Sequence, residues 1–159
     1  MKKIITLILA LVMSLSVLTG CGSSVADELT KFINEDMAVV NQNYLDITEE
    51  AGLWETFEDE TLVLDSINNT MLPKVEENLN LLSKITLETD EVKALRSKFV
   101  EVMNAYKEGF VTMADALEKD DDAKMQEGAA IIDNGIAIFN EYGEDLNDLV
   151  EANGLAFEE

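Results

Sequence analysis

Behind the first twenty residues, apolar side chains recur at steps of three and four, the spacing that aligns them on one face of an α-helix. Leu29, Ile33, Met37, Val40, Tyr44 and Ile47 form the first stripe and predict a helix over residues 27–51, ended by Gly52. Residues 53–58 are a connection rich in large apolar groups, with Trp54 and Phe57 placed to plug one end of a core. A second stripe of Leu64, Ile67, Met71, Val75, Leu79 and Leu82 predicts a helix from Asp59 onward, with Pro73 inside it. An internal proline removes one backbone bond and crowds the preceding turn, costing about 3 kcal/mol unless the helix bends. A kink near residues 69–72, or a restart at Pro73, is therefore expected.

Thr89 is placed as the N-cap of a third helix, with Asp90 and Glu91 meeting its positive end. Val92, Leu95, Phe99, Val102, Tyr106, Phe110, Met113 and Leu117 follow as its stripe. The run Lys119, Asp120, Asp121, Asp122 breaks the pattern and supplies turn and cap residues for a fourth helix. That helix carries Met125, Ala129, Ile132, Ile136, Phe139, Leu146 and Val150, and Asn153 with Gly154 forms its C-terminal cap. Four long amphipathic helices with short connections predict an all-α fold, an antiparallel up-down four-helix bundle over residues 27–154, followed by an acidic tail at 155–159.

The opening segment has a different pattern. Lys2 and Lys3 precede an apolar run over residues 4–18, the arrangement of an export signal. The run ends in Leu18, Thr19, Gly20 and Cys21, which together resemble the bacterial lipobox. Small residues at 19 and 20 let an extended backbone enter a signal peptidase, and Cys21 supplies the thiol for a diacylglyceryl thioether. Cleavage between Gly20 and Cys21 is expected, removing residues 1–20 and leaving residues 21–26 as a short tether. The apolar run is shorter than the ~20 residues of a spanning helix. Ordinary signal cleavage would leave the chain's one cysteine as a free thiol in an oxidising compartment, an uncommon outcome. The expected location is the outer face of the cell membrane, held by lipid.

Charge narrows the partners. The 159-residue chain carries 11 basic and 33 acidic residues for a net charge of −22. Losing Lys2 and Lys3 leaves nine basic residues against the same 33 acidic ones, a net −24. Nucleic acid is excluded as a partner on these grounds, and anionic headgroups repel such a surface. Membrane affinity must then come from the acyl chains, each buried methylene contributing about 0.8 kcal/mol.

The chain has no histidine, and its one cysteine is committed to lipid. Imidazole-based nucleophile pairs, the Glu-x-x-His ligands of di-iron bundles and thiolate-imidazole zinc sites all lack their residues. Asp120, Asp121, Asp122 and Glu127 suggest a calcium loop, but an EF-hand counted from Asp120 has Lys124 at position 5 and Met125 at position 6, where a ligand and a glycine are required. A helix-capping turn is the better reading. Carboxylate pairs such as Glu55 with Asp59 are the minimum for glycan hydrolysis, but so many acids place such pairs by chance, on a solvated face. A non-enzymatic protein is expected, with no metal and no cofactor beyond the diacylglycerol on Cys21.

Asn34, Asn41, Asn104, Asn134 and Asn147 border the stripes, either as surface amides or as a buried polar network. Gly128, Gly135 and Gly143 fall on roughly one face of the fourth helix, consistent with a close helix approach or with simple tolerance. Tyr44, Tyr106, Tyr142 and Trp54 are aromatics with polar handles, and Trp54, outside the stripes, is the candidate partner contact against a core-capping role. The sequon at Asn68 to Thr70 lies within an expected helix and carries no argument.

The stretch ITLETDEVKALRSKFVEVMNAYKEGFVTMADALEKDDDAKMQEGAAIIDNGIAIFNEYGEDLNDLVEANGL, with the proline before KVEENLNLLSKI, resembles uncharacterised small helical lipoproteins of Gram-positive bacteria. The resemblance implies fold and location and brings no activity. The expected function is a binding or scaffolding module facing an unknown envelope protein or extracellular ligand. The alternative is a helical module for a small molecule, a cationic peptide or a divalent cation. A polar-lined cavity would favour ligand binding, and a sealed core with an exposed apolar patch would favour a protein partner.

Overall fold

The computed structural model describes residues 15–17 and 24–157. The expected export segment outside 15–17, the cleavage pair Gly20 and Cys21, and residues 21–23 of the expected tether lie outside the described residues, as do residues 158–159.

The chain is predominantly α-helical, as the spacing of apolar residues requires. Helix α1 (Ser24–Lys31) passes through a π-helical turn (Phe32–Asp36) into α2 (Ala38–Leu53), and a single 3-10 turn (Trp54–Thr56) follows. Helix α3 (Glu60–Ser66) passes through a second π-helical turn (Ile67–Met71) into α4 (Leu72–Lys84). Helices α5 (Asp90–Lys119) and α6 (Asp122–Ala152) complete the set. A short antiparallel strand pair joins β1 (Leu15–Val17) to β2 (Leu155–Phe157), with Ser16 opposite Ala156.

Several boundaries differ from those the spacing suggests. The first helix begins at Ser24 and buries Ala26, so the expected tether over residues 21–26 loses its last three residues to the fold. Gly52 does not end it, because the helix runs on to Leu53 and the chain turns only at the 3-10 segment. The expected acidic tail at 155–159 begins as strand β2, with Leu155 buried in the core. The interruption expected near Pro73 is a π-helical turn with neither a break nor a restart. There the Leu72 N–H bonds back five residues to the Ile67 carbonyl, and Pro73 falls in the first turn of α4. Widening the ladder just ahead of the ring relieves the clash a proline makes with the carbonyl four residues earlier.

All six residues of the first stripe are buried, as are Ile67, Met71, Val75 and Leu82 of the second, and Val92 through Met113 of the third. Each fully buried aliphatic or aromatic side chain contributes about 1.5–3 kcal/mol relative to exposure. Phe32 joins them, because the first π-helical turn inserts an extra residue and brings Phe32 and Ile33 inward side by side.

Helices α5 and α6 run in opposite directions and pack along their length. Lys98 bonds Asp145 at 2.5 Å near one end, and a Cβ placed on Gly135 would lie 2.8 Å from the Tyr106 ring in the middle. Toward the other end, a Cβ on Gly128 would lie 2.5 Å from Met113 Cγ and 3.0 Å from the Gly109 carbonyl oxygen. Gly128 and Gly135 therefore mark a close helix approach, while a Cβ on Gly143 meets nothing within 4 Å. The turn between the two helices is made by Asp120 in the left-handed conformation (φ 53°) and Asp121, whose carboxylate accepts the Lys124 N–H at 3.0 Å. The acidic run is a helix-capping turn. At the far end of α6, Asn153 and Gly154 (φ +66°) close the last turn as expected.

Candidate functional site

Two pairs of buried polar side chains, Tyr44 with Tyr106 and Asn43 with Asn78, satisfy each other inside the core. Tyr44 and Tyr106 stack with ring centroids 5.9 Å apart, and their hydroxyls lie 3.2 Å from each other. Phe99, Phe139 and Tyr142 surround them. Burial drives the pKa of Tyr44, Tyr106 and Tyr142 upward, so these phenols stay neutral at any physiological pH. Asn78, fully buried, donates to the Val40 carbonyl at 3.0 Å and accepts from Asn43 Nδ2 at 3.0 Å. Asn43 reaches on to Glu77 at 3.2 Å. Among the described residues no buried side-chain nitrogen or oxygen lacks a partner. This core leaves no polar group aimed at a ligand.

The buried amides are Asn43 and Asn78, whereas Asn34, Asn104, Asn134 and Asn147 are exposed and Asn41 is half-buried. A polar residue standing on an apolar stripe was the available signal, since Asn78 falls three residues after Val75 and four before Leu82.

The carboxylates spread outward. Glu55 and Asp59 are both exposed, and Asp59 is occupied as the N-cap of α3, accepting the Thr61 N–H at 2.8 Å. That bond holds its carboxyl below the usual range. Among the described residues no group of three or more acidic side chains converges on a point that a metal ion could occupy. Glu91, Asp145 and Asp148 edge an open groove of about 370 Å³ floored by Ala94, Leu95, Leu149 and Ala152. Asp145 is already paired there with Lys98.

One carboxylate has a structural task that the sequence did not signal. Glu28 of α1 accepts the N–H of Glu88 at 2.5 Å, the N–H of Thr89 at 2.8 Å and the Thr89 hydroxyl. Thr89 occupies the N-cap position of α5, but its side chain makes no cap bond and turns to Glu28 instead. A carboxylate brought from another helix is a stronger acceptor for this corner than a backbone partner.

Trp54 lies half-buried at the junction of three helices. Its indole N–H donates to Ser66 Oγ of α3 at 2.9 Å, and its ring meets Phe110 of α5 edge-on at 6.3 Å. Ser66 itself is buried. Trp54 is thus packed against the core while only partly buried. Leu53, Leu62 and Val111 are among the most exposed large apolar side chains described. Leu53 precedes Trp54, Leu62 lies one turn before Ser66, and Val111 follows Phe110.

Comparison with protein-family models, with curated proteins and with solved structures finds no match.

Proposed function

We propose that this chain is a lipid-anchored, extracytoplasmic protein in which an antiparallel up-down four-helix bundle serves as a non-enzymatic binding or scaffolding module. The observation that carries the reading is the sequence Leu18, Thr19, Gly20, Cys21 directly behind an apolar export segment. Signal peptidase cuts between Gly20 and Cys21, and Cys21 bears the diacylglycerol, as in the small helical lipoproteins of Gram-positive bacteria that the chain resembles. Helix α1 starts only three residues beyond Cys21, so the domain sits against the membrane on a tether of about 10 Å at full extension. No helix among the described residues is long and apolar enough to cross a membrane.

Binding, rather than catalysis, is the reading the side chains favour. Among the described residues the buried polar atoms are satisfied internally and no three acidic side chains converge, while Val39, Leu53, Leu62 and Val111 remain exposed. The partner is an envelope protein or extracellular ligand, with no nucleic acid and no cofactor beyond the covalent lipid. Fractionation of cells expressing wild type and Cys21→Ser tests the anchor. Wild type is expected in the membrane fraction and resistant to salt washing, because acyl chains and not charge hold it. Wild type in the soluble fraction, or a Cys21→Ser variant that partitions identically, would refute the reading.

A further inference from the structure

We infer that the edge of strand β2 (Leu155–Phe157) takes up, in the mature protein, an extended segment of another protein held on the same membrane. The inference deepens the binding role proposed above by naming its surface and the form of its partner. It rests on that reading, because removal of residues 1–20 is what vacates the edge.

The structure shows the edge occupied. Strand β1 runs antiparallel beside β2, with Leu15 opposite Phe157, Ser16 opposite Ala156 and Val17 opposite Leu155. Residues 15–17 lie in the segment proposed to leave at cleavage, whereas Leu155–Phe157 stay with the domain. The backbone N–H and C=O groups on that side of β2 then face no strand, and an unpaired edge is a template for another chain. The bundle itself holds β2. Gly154, at φ +66°, turns the chain out of α6, Leu155 is buried in the core and Phe157 packs against it.

The strand also selects its occupant. Alternation puts Leu155 and Phe157 on one face, toward the core, and a residue directly opposite each shares that face. The docking segment therefore carries apolar residues at alternate positions, where they extend the core, and the sequence Leu-Ser-Val fits that pattern. Main-chain bonds give such strand addition its affinity and the alternate side chains its specificity. The edge lies at the anchored end of the bundle. Glu28, one turn beyond Ser24, bonds the start of α5, and β2 follows the end of α6 that lies beside that start. Two proteins held on one membrane meet there at high effective concentration, which offsets the shortness of the strand. A second copy offers its own Leu-Ala-Phe, but Glu158 and Glu159 come directly after it on a strongly acidic chain, and like charges oppose the pairing.

The probe is the uncharged peptide SLSVLT, residues 14–19 of the chain with blocked ends, added to protein that begins at residue 21 and carries Cys21→Ser. Saturating peptide should slow amide exchange across residues 155–157 by about threefold or more. The amides of the turn at residues 120–122 should keep their rates. Two altered peptides should each bind about tenfold more weakly or worse. In one, the amides of Ser16 and Val17 are N-methylated, and since successive amides of a strand point to opposite sides, one of the two faces β2 in either antiparallel pattern. The other carries Leu15→Ser with Val17→Ser. No slowing at 155–157, or equal slowing by the N-methylated peptide, would show apolar adsorption without strand addition and overturn the inference. So would a dimer of the protein that the peptide dissociates, because it would give the edge to a second copy. The protein is made without its export segment, so these results are independent of Cys21 fractionation, and failure of the anchor and failure of the strand edge are separable.

Discussion

Tyr44 and Tyr106 share one hydrogen bond between their hydroxyls, 3.2 Å apart inside a stack of aromatic rings, and neither hydroxyl faces water. Removing one oxygen leaves the other buried without a partner, whereas removing both leaves only ring packing. Tyr44→Phe or Tyr106→Phe alone should destabilise by about 1–3 kcal/mol. The double variant should lie closer to wild type than the sum of the two singles. Urea denaturation of the four proteins checks this, and strictly additive losses would show that the hydroxyls do not depend on each other.

The glycines of α6 should divide sharply. Gly128→Ala and Gly135→Ala force a methyl group against Met113 or the Tyr106 ring, and each should destabilise by about 1–3 kcal/mol. Gly143→Ala enters open space and should stabilise by ~0.5–1 kcal/mol through helix propensity. Thermal unfolding of the three variants separates them by sign.

Glu28 should confer an acid-sensitive share of stability. Burial alone would push its carboxyl up, but the bonds from the Thr89 hydroxyl and the Glu88 and Thr89 amides, with Lys93 nearby, outweigh that and leave it below its ordinary 4.5. A group whose pKa falls on folding contributes fully above its unfolded value and loses that contribution as pH falls through the folded one. The stability gap between wild type and Glu28→Gln should therefore be constant near neutrality and close as pH drops below about 4.5. A gap that widens in acid would contradict the clasp.

The helices were legible because their stripes repeat at helical spacing over long segments, and α5 follows its stripe from Val92 to Met113. Two features were hidden. Each π-helical turn inserts a residue and shifts the buried arc, so Phe32, five residues before Met37, is buried as fully as Leu29 and Met37. Helix α5 packs against α4 as well as α6, so its buried arc takes in Met103, whose sulfur lies 3.6 Å from Asn78 Nδ2 of α4, and Gly109, which abuts Ile132 and Gly128 of α6. The Glu28 clasp was out of reach of sequence, because residues 28 and 88–89 meet only once α1 and α5 are packed. Trp54 was legible as an aromatic outside the stripes. Its pairing with Ser66 and Phe110 was not, since a serine within a helix, between the stripe residues Leu64 and Ile67, gives no sign that it accepts an indole N–H.

Maturation should also change the C-terminal strand. Strand β1 belongs to the segment whose removal is proposed, so cleavage takes the partner of Leu155–Phe157 away. Amide exchange at residues 155–157 should be slower in an uncleaved chain than in one lacking residues 1–20. Equal rates would show that the pairing with residues 15–17 does not protect these amides.

The central claim is tested most directly by the mass of the N-terminal peptide from protein extracted from membranes. The account predicts a peptide beginning at Cys21, heavier than its sequence by a diacylglyceryl group on the sulfur. A peptide beginning elsewhere, or an unmodified Cys21 thiol, would contradict it.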